Sequence, residues 1–258
     1  MRNQLSAPGI VSWAATPSIF KTLKYFLAFL KKPRHKNEVT VPKEKRLQVL
    51  LHLILTEVTI KTLFLATVVC LFNLLDINLF QVNLQNVTGN KPFYLVLLLV
   101  VLYGPLREEL IFRLPLVYSR RFMLIALAAF LASYAPLIMQ ETSLGSFHYA
   151  AAALAFCGFA AAFLLSPRLH SCIRQPWRTD YTSLFHLMTV VSALQYLVNY
   201  PYINLPLVML PVLVLLQWIE GLFLGYTRLH LGFKWSLMQH IVNKCLLLIV
   251  FFSFYSTP

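Results

Sequence analysis

Residues 93–116 read FYLVLLLVVLYGPLREELIFRLPL, and the fold class turns on how that line is explained. Its first half is apolar and uncharged; its second half carries Arg107, Glu108, Glu109 and Arg113. Bilayer hydrocarbon penalises each such charge by roughly 2.5–3.5 kcal/mol on insertion scales. A functional site, an internal salt-bridge network or a helix end lying in the headgroups could offset that cost. In the last case Arg107 and Arg113 would snorkel to the surface. Two glutamates at such an end gain nothing from anionic lipid, which favours a site or a network.

Working outward, the 258 residues are 59% hydrophobic and only 12% charged, against roughly 25% charged in ordinary soluble domains. The expectation is a single all-α polytopic transmembrane helix bundle over residues 47–258, preceded by a basic segment, 1–46. A net charge of +13 could suggest nucleic acid. The basic residues lie between apolar runs, however, and no nucleic-acid-binding motif is present. Cys70, Cys157, Cys172 and Cys245 show no zinc or disulfide-framework spacing.

About seven runs are long enough to cross hydrocarbon roughly 30 Å thick: 47–73, 93–117, 121–140, 147–166, 182–199, 205–227 and 234–254. Segment 21–46 carries nine Lys/Arg, whereas 74–92 has only Lys91. Arg120 and Arg121, then Arg168, Arg174 and Arg178, then Arg228 and Lys234 mark every second connection; 141–146 and 200–204 have none. That alternation predicts a cytoplasmic N-terminus and a C-terminus on the opposite side. The short run around Ile19–Leu30, broken by Lys21 and Lys24, reads as an amphipathic interfacial helix with Phe20, Tyr25, Phe26 and Phe29 on its apolar side.

Within the spans, Gly104-Pro105 should loosen the second helix, since proline removes a donor and crowds the preceding turn. Glu109 and Arg113, four apart, can face each other, while Glu108 lies about 100° round the helix. A cation beside one carboxylate and a like charge beside the other drive their acidities apart, a route to one acid and one base. Glu57 and Lys61 are also four apart and should neutralise each other. Glu220, with Gln217, could join a cavity or pair with a neighbouring arginine. His52 and His148 read as hydrogen-bonded helix histidines, and Asn86-Val87-Thr88 forms a glycosylation sequon.

Glu108-Glu109-Leu110-Ile111-Phe112-Arg113 resembles the EExxxR motif of the CPBP family, the integral-membrane CAAX-processing and bacteriocin-processing endopeptidases. The flank EELIFRLPL is similar to bacterial members. A second similarity covers GLFLGYTRLHLGFKWSLMQHIVNK, 221–244, where the family has a Gly-x-x-x-Gly-Tyr-x-Arg turn leading into a helix with a His and, four residues on, an Asn. His240 stands at the histidine position, Lys244 at that of the Asn, and Asn243 one residue early. The middle FxxxH motif aligns with LFHLMTVVSALQYLVNY, 184–200, where Ser192 replaces the Phe and Tyr196 the His; Phe147-His148 is an alternative whose surroundings match the family poorly. His186 lies ten residues before Tyr196, about 15 Å along a helix, and cannot take its place.

The resemblance implies Glu108 as the base that activates water, with Glu109 and Arg113 as its electrostatic partners. It implies His240 as oxyanion donor or metal ligand; Tyr196 could supply a further hydrogen bond and Lys244 positive charge. One retained histidine disfavours a tightly bound zinc of the His/His/Glu type, and no cofactor is otherwise implied. The function so implied is intramembrane endopeptidase activity on a peptide or membrane-protein substrate, in contact with membrane lipid and located in a bacterial cytoplasmic membrane. The degenerate second and third motifs leave an alternative, a catalytically inactive scaffold or partner-binding relative. A small transporter would require repeat symmetry that the sequence lacks.

Overall fold

The computed structural model describes residues 17–33, 41–74, 92–141, 155, 158–160, 162–163, 166–199 and 209–255. Within these ranges the side chains of 93, 96, 135–141, 196, 198–199 and 250–255 lie outside the description. Most of the run 147–166, with His148, and the sequon at 86–88 fall outside the described residues.

Every described element is helical. In chain order they are α1 (Ile19–Lys31), α2 (Arg46–Leu74), α3 (Phe93–Leu98), α4 (Gly104–Glu108), α5 (Arg120–Glu141), α6 (Pro167–Thr179), α7 (Tyr181–Asn199), α8 (Leu210–His230) and α9 (Phe233–Tyr255). Among the described residues, two helices are long and apolar enough to cross a membrane: α2 with its leading turn, Lys43–Leu74, and α8.

The stretch expected as one helix over 93–117 is broken. A π-turn, Leu99–Tyr103, joins α3 to α4, a second covers Glu109–Arg113, and a 3-10 turn, Leu114–Leu116, ends the run. Each break sits beside a proline. Pro105 offers no N–H to the turn before it, and the Gly104 amide reaches back to the Leu99 carbonyl instead. Pro115 repeats this at the far end, where the Leu114 amide bonds the Glu109 carbonyl. Glu109 and Arg113 therefore stand on a π-turn of the kind that gathers at functional sites, and Glu108 ends the α-helical turn just before it.

Helix α8 is the hub. It packs on α7, α9, α2 and α1, and from Gln217 to Arg228 its buried residues run almost without interruption. Gly221–Arg228, where the resembled family has a turn, is thus interior to this helix, within the expected run 205–227. Its glycines make room: a Cβ on Gly225 would lie 2.6 Å from the Phe185 ring, and one on Gly221 would lie 3.2 Å from Arg113 Nη2. The chain turns instead at Gly232, whose φ of 106° favours glycine.

Helix α1 begins at Ser18, whose hydroxyl accepts from the Lys21 amide. Its expected apolar side divides. Phe26 stacks on Phe223 with ring centroids 4.1 Å apart, and Phe29 meets Phe185 edge-on at 5.0 Å. Phe20, by contrast, is 81% exposed. The helix is docked against the bundle through Phe26 and Phe29, and Thr22 approaches His52 Nδ1 at 3.2 Å. Leu51, Leu55, Leu63, Leu247 and Ile249 on α2 and α9 are exposed, while much of the polar complement is inside.

Candidate active site

Helix α9 carries Ser236, Gln239, His240, Asn243 and Lys244, the 3–4 spacing of one helical face. All five are buried. That stripe faces α4 and the π-turn after it, α2 and α8, and it organises the polar interior.

His240 lies at its centre, fully buried. Its Nδ1 is 3.5 Å from Glu109 Oε1; its Nε2 is 3.3 Å from Glu220 Oε1 and 3.6 Å from Glu108 Oε2. None of these contacts is an aligned hydrogen bond. A neutral imidazole has one N–H, so only one of the two carboxylate-facing nitrogens can donate.

Each carboxylate has its own support. Gln217 Nε2 donates to Glu108 Oε2 at 3.1 Å. The Ser236 hydroxyl donates to Glu109 Oε2 at 2.6 Å. Arg113 Nε is 3.9 Å from Glu109 Oε1, a loose form of the expected pair, because the π-turn alters their relative direction. The same guanidinium donates through Nη1 to Ser192 Oγ, so the residue standing where the family has phenylalanine holds Arg113. Arg228 Nε donates to the Arg113 carbonyl at 3.2 Å, tying the end of α8 to this turn.

A second polar group adjoins the first. Lys61 Nζ is 2.6 Å from Glu57 Oε1, the expected i,i+4 pair, and 3.0 Å from Glu220 Oε2. Gln239 Nε2 and Asn243 Nδ2 donate to Glu57 at 2.7 and 2.8 Å, and Lys244 Nζ lies 3.5 Å from Glu220 Oε2. Among the described residues the ion pairs of Glu220 with cationic side chains are to Lys61 and Lys244, not to an arginine. Asn243 and Lys244 face Glu57 and Glu220, one helical turn beyond Glu108.

Of the residues named from sequence, Glu108, Glu109, Arg113 and His240 come together; the side chain of Tyr196 lies outside those described. Comparisons with protein-family models, with curated proteins and with solved structures found no match. Among the described residues no group of three or more His, Cys, Asp or Glu is arranged to hold a metal. Ser236 and Gln239 were not among the residues named from sequence, and Gln217 was named only beside Glu220. The signal was present in the polar spacing 217–220 on α8 and 236–239–240–243–244 on α9.

Proposed function

We propose that this protein is an intramembrane endopeptidase of the CPBP type, in which Glu108 activates water against a peptide bond. The supporting observation is the approach of Glu108 Oε2 to His240 Nε2 at 3.6 Å, both groups buried. That gap exceeds a direct hydrogen bond and lets one water touch both atoms.

In the reaction Glu108 takes a proton from that water as its oxygen attacks the carbonyl carbon. The resulting oxyanion accepts a hydrogen bond from His240. Glu108 then returns the proton to the leaving nitrogen as the C–N bond breaks, giving a carboxylate and an amine. Glu109, backed by Ser236 and Arg113, keeps fixed negative charge on the far side of the imidazole. The substrate is a peptide or membrane-associated protein.

The bundle has seven spans in a bacterial cytoplasmic membrane, N-terminus cytoplasmic and C-terminus opposite. Exposed leucines around a buried polar interior support that setting, since lipid rewards apolar exterior surface. The alternation of Lys/Arg between the runs supports the orientation.

A second reading draws on Asn243, which bonds Glu57 rather than facing Glu108: a relative that kept the bundle as a partner-binding scaffold. One comparison separates the two. Purified protein in detergent should cleave members of a peptide library, and Glu108→Ala should lower the rate about 10²–10⁴-fold. Equal cleavage by the variant, or none by the parent chain, leaves the scaffold.

A further inference from the structure

Glu220 does not belong to the motif pattern that drew attention to Glu108 and His240, yet it makes the shortest of the three carboxylate approaches to the ring. It comes from the middle of α8 and is 5% exposed. Its two oxygens are divided between two tasks. Oε2 receives the Lys61 ammonium at 3.0 Å, with Lys244 Nζ at 3.5 Å. Oε1 is left facing His240 Nε2 at 3.3 Å and has no hydrogen-bond partner. Lys61 is itself held by Glu57, which Gln239 and Asn243 fix in turn. The carboxylate thus has little freedom to turn away from the ring.

The two ring nitrogens compete for hydrogen. Nδ1 faces one carboxylate oxygen, Glu109 Oε1, at 3.5 Å, and that oxygen is shared with Arg113 Nε at 3.9 Å. Nε2 faces two, Glu220 Oε1 and Glu108 Oε2. The Glu108 oxygen already accepts from Gln217, so Glu220 supplies the closer and less committed acceptor. Coulomb attraction rises as distance falls and as solvent is excluded, and an imidazole's tautomer is set by the acceptor its N–H meets.

We propose that Glu220 is a positioning residue of the centre: clamped by Lys61 and Lys244, it keeps hydrogen on Nε2 of His240, the nitrogen that faces Glu108. Resting on the endopeptidase reading, this assigns the oxyanion's donor to a defined ring atom. It also gives the Glu57–Lys61 pair a role beyond charge neutralisation, because that pair anchors the clamp.

The test is nitrogen-15 NMR of histidine-labelled protein in nanodiscs at pH 7, with the His240 resonances assigned by difference from His240→Gln. The parent chain should show Nε2 protonated. In Glu220→Gln the hydrogen population on Nε2 relative to Nδ1 should fall about tenfold. A parent ring with hydrogen on Nδ1 alone, or an unchanged Nε2 signal in the variant, overturns the assignment. Should Glu220→Gln not fold, Lys61→Gln releases Oε2 and should move the same signal in the same direction; no movement there is equally decisive. With a cleavable peptide in hand, Glu220→Gln should lower kcat and leave KM nearly unchanged. The NMR result stands or falls without cleavage, so a protein that hydrolyses nothing would remove the proposed function and leave the role of Glu220 decided separately.

Discussion

Ser236 shows how much one small side chain can hold in a buried polar centre. Its hydroxyl has a single hydrogen and two acceptors in reach, Glu109 Oε2 at 2.6 Å and the Leu224 carbonyl at 3.1 Å. The charged, nearer oxygen takes it. Glu109 Oε1 has no hydrogen-bond partner, so Ser236→Ala would leave the buried carboxylate without an aligned donor. The expected loss is about 1–3 kcal/mol, read as a lower unfolding temperature in detergent, whereas Ser236→Thr should retain the bond and most of the stability. At this scale the sequence was informative where chemistry is rare. Charged residues in an apolar run are conspicuous, which is why Glu108, Glu109 and Arg113 could be named before their geometry was known. Ser236 and Gln239 were not, because neutral polar residues are common in helices and only their partners distinguish them.

The helices were legible as apolar runs, and α2, α5, α7, α8 and α9 fall close to the boundaries expected for five of them. The winding of 99–116 was only half legible. Pro105 announced a disturbance, but the π-turns follow from which carbonyl each displaced amide finds, a matter of local packing. The glycines of α8 teach a related lesson. The Gly-x-x-x-Gly pattern, a turn in the resembled family, lies within the expected run 205–227, and its use here is close approach within a helix. In Gly225→Ala the new methyl would meet two ring carbons of Phe185 at 2.6 and 2.9 Å. That ring is fully buried and abuts Phe29, so it has no free space to swing into. The substitution should cost about 1–3 kcal/mol through overpacking, and pairing it with Phe185→Leu should recover part of the loss in the same thermal assay.

For the whole molecule, what the sequence withheld is the rotation of each helix about its axis. Glu220 lies 20 positions from His240, and Glu57 lies 182 from Gln239; no spacing rule connects them. The orientation proposed from charge alternation is open to direct measurement. Cys172 is exposed on α6, between Arg168 and Arg174, and the proposed topology puts it on the cytoplasmic side. A membrane-impermeant thiol reagent should therefore leave Cys172 unlabelled in intact cells and label it after permeabilisation. Labelling in intact cells would reverse the topology.

Those long separations also bear on the order of synthesis. In the proposed membrane setting Glu57 enters the bilayer with α2, whereas its partners Gln239 and Asn243 arrive with α9, roughly 10–40 s later at ordinary elongation rates. Over that interval Lys61, one turn along the same helix and 2.6 Å away, is the partner Glu57 brings with it. On the proposed topology the two opposite charges would offset each other in α2 until α8 and α9 bring Glu220, Gln239 and Asn243.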